Sequence, residues 1–516
     1  MFSLTFLTFG PIIGAALVCL LKDDETIRRA ALIISLVVLF PGIAMVLDYN
    51  DSFARAQASL TAEQAASGVF VYEEKIPWIE AFNINYHMGV DGLSMPFIFL
   101  AVFLCPLCVL ASWGIREKVK GYMALFLLLE GAMIGVFAAL DLFLFFVFWE
   151  LMLLPMYFLI GIWGGPRRVY AAIKFVLYTL FGSIFLFIAM LVLYAKTGSF
   201  SLLELPQLMG GIQMTWAVKL ALFIGLYVAF AIKIPAFPFH TWLPDAHVEA
   251  PTAISVILAG ILLKMGAYGL FRISYPIFPD AAAWFCTPMA VIGLINIVYG
   301  ALCAMAQSDL KKLVAYSSIS HMGYVMLGMA VYREESLQGA VFQMFNHGTI
   351  TAMLFLLVGV IYDRAHHREI DGFGGLVKPM PVYGGITALA FFAALGLPGL
   401  SGFISETLVF LGAFQEQRLI TCLSTSGILL GAAYMLWTYQ RVFMGPVNEK
   451  YAALPEISLR EICTLAPLAV FVIVLGIFPS LFLNAIDPTM EHVLASLQKG
   501  REAYQATLQV AGALVP

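Results

Sequence analysis

Long runs of apolar residues follow one another along almost the whole chain, separated by short polar stretches. A helix needs about 20 apolar residues to cross the hydrocarbon core of a bilayer. The runs therefore predict an all-α polytopic membrane protein with about fourteen membrane-spanning helices. We expect these helices near residues 3–21, 27–48, 91–113, 119–139, 142–163, 169–195, 215–238, 251–273, 283–306, 311–331, 338–362, 382–413, 420–443 and 462–484. No basic region precedes the first run, which favours a retained helix over a cleaved signal.

Prolines interrupt the seventh and the twelfth of these predicted helices. The seventh contains Pro235 and Pro238, and the twelfth contains Pro398 within Leu-Pro-Gly. A proline removes a backbone donor and leaves a carbonyl free, which at membrane depth must face protein or a wet cavity. We therefore expect a polar side chain or water within hydrogen-bonding distance of both breaks.

The two broken helices occupy equivalent positions if the chain contains two five-helix units, helices 4–8 and helices 9–13. An odd number of spans in each unit would invert the second unit in the membrane, as in many transporters. The predicted division is residues 1–118 for the first three helices, 119–273 and 283–443 for the two repeats, and 444–516 for the last helix and tail.

The polar segments indicate how the chain is oriented. Lysine and arginine are concentrated in one set of loops, such as the loop with Arg116, Lys118 and Lys120 and the loop with Lys311 and Lys312, and the positive-inside rule makes that set cytoplasmic. Both termini then lie on the outer side. The longest outer loop, 49–89, is expected to form a small hairpin, and 487–512 an interfacial helix.

Composition supports the membrane assignment and narrows the chemistry. Of the 516 residues, 61% are hydrophobic and only 12% are charged, about half the charged fraction of a soluble domain. No Walker loop, dinucleotide fingerprint or haem-binding motif is present, so we expect no cofactor on this chain. Cys105 and Cys108 form a CxxC inside an apolar run, which favours packing over a metal or redox role.

A set of ionisable residues falls inside the predicted spans, where each costs several kcal/mol to bury. The set is Glu130, Glu150, Lys233, Lys264, His321, His347 and Glu406. Singly, a lysine can snorkel to an interface, a glutamate can be a static ion-pair partner, and a histidine can join two helices. Together they favour ion transport, because a fold gains nothing obvious from so many costly groups at one depth. Histidine titrates near neutral pH and suits a proton carrier.

Several long motifs carry a family resemblance. They run from HMGVDGLSMPF through FWELMLLPMYFLIGIWGG, HTWLPDAHVEAPTAISVILAGILLKMGAYG, SSISHMGYVMLG and NHGTITAMLFLLVGVIYDR to LPGLSGFISETLVFLGAF. These segments resemble the antiporter-like subunits of the proton-pumping NADH:quinone oxidoreductase, respiratory complex I. Glu406 favours the M branch of that family, which corresponds to mitochondrial subunit 4, since the sister branches L and N usually carry lysine there.

The resemblance implies a fourteen-helix core with two inverted five-helix units and a proton path through its middle. It pairs Glu150 of the fifth helix with Lys233 of the seventh. It continues the path through Lys264, His240, His321, His347 and Glu406. Glu130 is a further candidate on its predicted burial alone.

The resemblance also implies a role and a location. The chain would translocate protons as a subunit of the oxidoreductase, driven by quinone reduction elsewhere in the complex. The length of 516 residues and the long polar outer loop favour a bacterial inner membrane over a mitochondrial one. Its partners would be the other membrane subunits, above all the sister antiporter-like subunits. Three alternatives stay open, namely a subunit of a multisubunit cation/proton antiporter, a membrane subunit of an energy-converting hydrogenase, and a structural scaffold.

Overall fold

The apolar runs fold into a bundle of helices in the computed structural model, which describes residues 3–60 and 68–513. Within these ranges there are eighteen helices, and eleven of them are long and apolar enough to cross a membrane. The first nine are α1 Leu4–Leu20, α2 Asp24–Ser59, α3 Met95–Ala111, α4 Val119–Ala138, α5 Leu142–Trp163, α6 Arg168–Thr197, α7 Leu205–Gly211, α8 Trp216–Lys233 and α9 Trp242–Glu249. The others are α10 Thr252–Ile277, α11 Pro279–Met305, α12 Leu310–Met329, α13 Glu334–Ala365, α14 Pro381–Ala394, α15 Ser401–Glu416, α16 Arg418–Phe443, α17 Leu459–Ile477 and α18 Ser480–Ala513.

Each predicted run lies on a helix, but two predicted ends are wrong. Helix α2 continues to Ser59 instead of ending at residue 48, because no glycine or proline follows to stop it. Helix α17 ends at Ile477 rather than at residue 484, because Pro479 disfavours helical backbone in the residue before it. A new helix, α18, starts directly afterwards and includes the predicted interfacial helix 487–512.

Both predicted helix breaks are present. Helix α8 ends at Lys233 and α9 begins at Trp242, so the prolines between them lie in non-helical backbone. The second break separates α14, which ends at Ala394, from α15, which begins at Ser401. Each break leaves an ionisable residue beside irregular backbone, Lys233 at the first and Glu406 at the second.

The predicted hairpin is also present. Strand β1, Val71–Ile79, pairs antiparallel with β2, Ile84–Val90. The carboxylate of Glu74 on β1 accepts hydrogen bonds from the first backbone amides of α1, with Leu4 N at 2.7 Å. A negative charge at a helix N-terminus satisfies amides that have no partner within the helix. The hairpin thereby fixes one end of the bundle, which we call the hairpin end.

Helices α10 and α13 lie at the centre of the bundle. The apolar stretch of each is completely covered by protein, whereas helices such as α6 and α16 leave large apolar side chains exposed along one face. Exposed residues of that kind, for example Leu177 and Leu429, present the apolar surface that lipid or another membrane protein would cover. The ionisable residues in the middle of these helices, Lys264 on α10 and His347 on α13, are therefore shielded from lipid by the surrounding helices.

Helix α10 has two π-helical turns, Leu258–Leu262 and Leu270–Ser274. A π turn holds one more residue than an α turn and changes which backbone groups are paired, and such turns are frequent at functional sites. Lys264 follows the first π turn and Arg272 lies within the second.

A buried ion pair holds the second π turn of α10 to the start of α3. Nη2 of Arg272 lies 2.5 Å from Oδ1 of Asp91, and both side chains are largely buried. Arg272 also donates from Nε to the hydroxyl of Tyr268 at 3.2 Å, and its guanidinium lies over the rings of Phe70 and Tyr268. Removing one partner of such a pair leaves a charge buried without compensation.

We expect Asp91→Ala to destabilise the protein by about 3–5 kcal/mol. The measurement is the midpoint of thermal aggregation of the detergent-solubilised protein, together with its amount in membranes. The double variant Asp91→Ala, Arg272→Leu removes both charges and should recover part of the loss. A single variant as stable as the wild type would show that the ion pair contributes nothing.

Candidate functional site

The first candidate pair, Glu150 and Lys233, is not in contact. Lys233 ends α8 and is buried, and its Nζ lies 3.6 Å from Sδ of Met152 and 4.6 Å from the centre of the Trp149 ring. Glu150 is half-buried on α5, and its Oε1 is buried with no hydrogen-bond partner. No ion pair joins the two side chains in the described part of the chain. The carboxylate and the ammonium lie on neighbouring helices but are separated.

Asn296 of α11 provides the polar partner at the first helix break. Its Nδ2 donates to the carbonyl of Pro235 at 3.1 Å, and its Oδ1 accepts from the backbone N–H of Phe237 at 2.8 Å. One amide side chain thus satisfies both a carbonyl and a donor that the break leaves free. The expectation of a polar side chain at this break is confirmed.

Asn346 of α13 lies at the second break, against the first turn of α15. Its Nδ2 donates to the carbonyl of Ser401 at 2.9 Å and to the hydroxyl of Ser405 at 3.1 Å. The hydroxyl of Ser405 in turn donates to Oε1 of Gln343 at 2.6 Å. A polar cluster therefore lies at this break too, as predicted, inside an otherwise apolar region.

Lys264 is completely buried in the centre of the bundle and has two partners. Its Nζ donates to the carbonyl of Ala259, five residues earlier, and lies 2.5 Å from Nδ1 of His347 on α13. Ala259 belongs to the first π turn of α10, which places its carbonyl toward the lysine side chain. Neither of these two partners is a carboxylate.

Two more candidate residues continue from His347 in one direction. The rings of His347 and His321 have their centres 6.0 Å apart, and Nδ1 of His321 lies 3.3 Å from Oε1 of Glu406. Nε2 of His347 and both ring nitrogens of His321 have no hydrogen-bond partner. Lys264, His347, His321 and Glu406 thus form a row across α10, α13, α12 and α15, which we call the Lys264–Glu406 row.

A small cavity lies beside this row. It measures about 10 Å³ and is lined by both histidines, Gln343, Thr351 and Glu406 together with apolar side chains. A space of this size is at the lower limit for one water molecule, and its lining offers the several polar partners that a buried water needs.

Glycine at position 396 makes room for the Glu406 carboxylate. Gly396 lies in the second break with φ +78°, and a Cβ there would lie only 2.9 Å from Oε2 of Glu406. A side chain would be strained at this φ and would also crowd the carboxylate. The broken helix therefore serves two purposes, since it frees backbone groups and admits the acidic side chain.

Two lower-ranked candidates lie outside the row. His240, in the first break, has its Nε2 3.4 Å from the hydroxyl of Tyr299, and its ring stacks on Phe237. Glu130 is completely buried on α4, where its Oε2 accepts from the hydroxyl of Ser35 at 2.9 Å. Glu130 is thus joined to α2, and none of its hydrogen bonds reaches the other candidates. Cys105 and Cys108 are both buried as free thiols.

His247 is a buried histidine that the sequence pattern did not single out. It lies on α9, is completely buried, stacks on Phe355 with ring centres 4.5 Å apart, and has no partner for either ring nitrogen. Prolines on both sides make residues 239–250 look like a loop in the sequence. The signal available in the sequence was its position in the motif HTWLPDAHVEAPTAISVILAGILLKMGAYG.

Lys311 requires a correction. It was predicted to be a basic loop residue, but its side chain is buried and its Nζ donates to the carbonyl of Ala250 at 2.5 Å. Asp309 caps α12 through the backbone amides of residues 311 and 312, which draws the start of the helix, and Lys311 with it, into the protein.

Two protein-family models match most of the chain. A family model described as NADH:quinone oxidoreductase/Mrp antiporter, TM, matches residues 139–437, and one described as NADH-ubiquinone oxidoreductase chain 4, amino terminus, matches residues 31–137. NADH-quinone oxidoreductase subunit M of Rhodobacter capsulatus is 41% identical over 507 residues, which cover 95% of this chain and 96% of that protein. NADH-ubiquinone oxidoreductase chain 4 of Arabidopsis thaliana is 38% identical over 498 residues, covering 96% and 97%.

Solved structures have the same fold. A chain of respiratory complex I from Thermus thermophilus with bound NADH superposes with a TM-score of 0.85 at 28% identity, covering 96% of this chain and 99% of that one. A chain of the Mrp complex from Dietzia sp. DQ12-45-1b superposes with a TM-score of 0.77 at 23% identity, covering 96% and 99%. At that identity the second likeness concerns the fold alone.

Proposed function

The chain belongs to the subunit M family of NADH:quinone oxidoreductase, the antiporter-like membrane subunits of respiratory complex I, and from this premise we propose that it carries protons along a buried path. The path runs from Glu150 and Lys233 through Lys264, His347 and His321 to Glu406. The energy comes from quinone reduction elsewhere in the complex. This chain itself carries no redox cofactor and transfers no electrons.

One observation supports the path above all others, the Lys264–Glu406 row. Four titratable side chains from four helices approach one another in a part of the protein where each charge is costly. Lys264 Nζ lies 2.5 Å from Nδ1 of His347. A charged lysine donates there, so the neutral imidazole carries its own proton on Nε2. A ring in that state can accept a proton on one nitrogen and release one from the other.

The far end of the row is suited to receive that proton. Both nitrogens of His321 are without hydrogen-bond partners, and Nδ1 lies 3.3 Å from the Glu406 carboxylate. A protonated imidazole would be stabilised by that carboxylate. One water in the neighbouring cavity could join the two rings, which are too far apart for direct transfer.

The near end of the path has a separated ion pair. When Glu150 is close to Lys233, the carboxylate stabilises the ammonium, and when the two are apart that stabilisation is lost. The separated arrangement favours release of the Lys233 proton toward Lys264. His247, buried on α9 without hydrogen-bond partners, is a further candidate carrier beside this path.

The arrangement in the membrane follows from the same premise. We propose fourteen spans with two inverted five-helix units, residues 119–273 and 283–443, flanked by 1–118 and 444–516. Basic loop residues are concentrated at the end opposite to the hairpin, so that end faces the cytoplasm and both termini face the periplasm of a bacterial inner membrane. The exposed apolar faces of outer helices then contact lipid and the sister antiporter-like subunits.

Replacing His347 tests the proposed path at its middle. We expect His347→Leu to lower NADH-driven proton uptake into proteoliposomes by at least about tenfold, because the row then lacks its proton carrier. The assembled complex is purified, reconstituted and followed with a pH-sensitive dye, and quinone reduction is measured on the same vesicles.

His367→Gln provides the matched control. His367 lies in a loop, where its Nε2 contacts the hydroxyl of Tyr451, outside the proposed path. This variant should pump like the wild type. Normal pumping by His347→Leu would refute the path, and sodium-dependent transport without NADH would instead favour a cation/proton antiporter.

A further inference from the structure

The ammonium of Lys233 lies against a buried aromatic ring while Glu150 has no partner. Nζ is 4.6 Å from the centre of the Trp149 ring and 3.6 Å from Sδ of Met152. Trp149 and Met152 are three residues apart on α5, so they share one face of the helix. A cation is attracted to the face of an indole, more strongly when both are removed from water, as they are here.

Other side chains fix the indole in this orientation. Its Nε1 donates to the hydroxyl of Ser183 on α6 at 3.2 Å. Phe145 stacks on the indole with ring centres 5.6 Å apart, and Phe230 of α8 packs edge-on at the same distance. Contacts from three helices therefore keep one face of the ring available to the ammonium, which is the condition for a defined binding position.

We propose that Trp149 and Met152 form a second binding position for the Lys233 ammonium, which holds it away from Glu150 but stabilises its charge less than the carboxylate does. The inference rests on the proposed proton path, in which this lysine alternates between a paired and a separated state. Trp149 directly precedes Glu150, so their side chains leave α5 about 100° apart. Lys233 reaches either position by rotation of its flexible stem, without a shift of any helix.

The second position sets how much of the lysine is in the separated state. A group that binds one of two states shifts the population by its differential affinity alone. Without the indole, the ammonium returns to the carboxylate and the separated state becomes rare. Trp149 is thus a positioning residue, which acts through Lys233 and exchanges no proton.

Fluorinated tryptophans test this role, because fluorine withdraws charge from the ring face while barely changing its size. Mono-, di- and trifluorotryptophan are incorporated at position 149 by amber suppression, and the assembled complex is reconstituted. We expect NADH-driven pumping to fall stepwise with each fluorine and to reach a loss of about tenfold with the trifluorinated ring. A purely structural indole would give no graded response.

Trp242 provides a matched control in the same region. It is also completely buried, and its Nε1 donates to the carbonyl of Ile232 at 2.9 Å, with no cation over its ring. The same fluorinated series at position 242 should leave pumping unchanged. Unchanged or increased pumping across the series at 149 would overturn the inference.

A structure of the Trp149→Leu complex gives a second readout independent of rate. We expect Nζ of Lys233 to lie within ion-pair distance of the Glu150 carboxylate, and a lysine still directed toward position 149 would contradict the inference. Lys233→Ala separates this inference from the function on which it rests. If that variant pumps normally, the proton path itself fails, whereas a loss with Lys233→Ala and none with fluorination removes only the role of Trp149.

Discussion

Replacing Lys264 with arginine is expected to lower NADH-driven proton pumping by about 100-fold while the complex still assembles. Arginine keeps the positive charge, but a guanidinium does not release its proton at any accessible pH. Among the described residues, Nζ of Lys264 has hydrogen bonds with the carbonyl of Ala259 and Nδ1 of His347, and both are acceptors that a guanidinium also satisfies. The substitution therefore tests whether Lys264 must release a proton or must only carry a positive charge.

The measurement compares the initial rate of vesicle acidification with the rate of quinone reduction for Lys264→Arg and Lys264→Met. The amount of assembled complex on native gels corrects for folding, since α10 is tightly enclosed and the guanidinium is larger. Both variants should lose pumping. If Lys264→Arg pumps like the wild type and Lys264→Met does not, Lys264 is a fixed structural charge and the path is wrong.

Much of the fold could be predicted from the sequence because a helix that crosses a bilayer needs about 20 consecutive apolar residues. The apolar runs indicated the helices, and Pro235 and Pro398 indicated the two breaks, because proline cannot continue a helix. The hairpin of residues 71–90 was predicted from its alternation. Helix ends were harder to predict, as the extension of α2 to Ser59 shows. A polar helix that continues beyond a membrane span has the same composition as a polar loop.

The candidate site was predictable as a set of residues but not as a geometry. The cost of burial singled out Lys264 and Glu406, yet only the packing of four helices shows that His347 and His321 lie between them. The π turn behind Lys264 could not be predicted, because no local pattern distinguishes a π turn from an α turn. His247 was missed because short helices that return into a bundle resemble loops in sequence.

Replacing Glu150 with alanine is expected to lower proton pumping by at least about tenfold, although Glu150 makes no ion pair in this structure. The path requires that Lys233 alternate between a position beside the carboxylate and a position away from it. Without the carboxylate only the separated position remains, so the lysine no longer changes its affinity for the proton within the cycle. The loss thus arises from the missing alternation rather than from a broken contact.

Two further variants distinguish the charge of Glu150 from its size. Glu150→Asp keeps the charge on a shorter stem and should retain part of the activity, whereas Glu150→Gln keeps the size and should behave like Glu150→Ala. Proton uptake and quinone reduction are measured on the same reconstituted vesicles, with native gels to confirm assembly. Glu150 has no hydrogen-bond or ion-pair partner among the described residues, so a purely structural role predicts that all three variants pump normally. That result would contradict the proposal that Lys233 alternates between two positions.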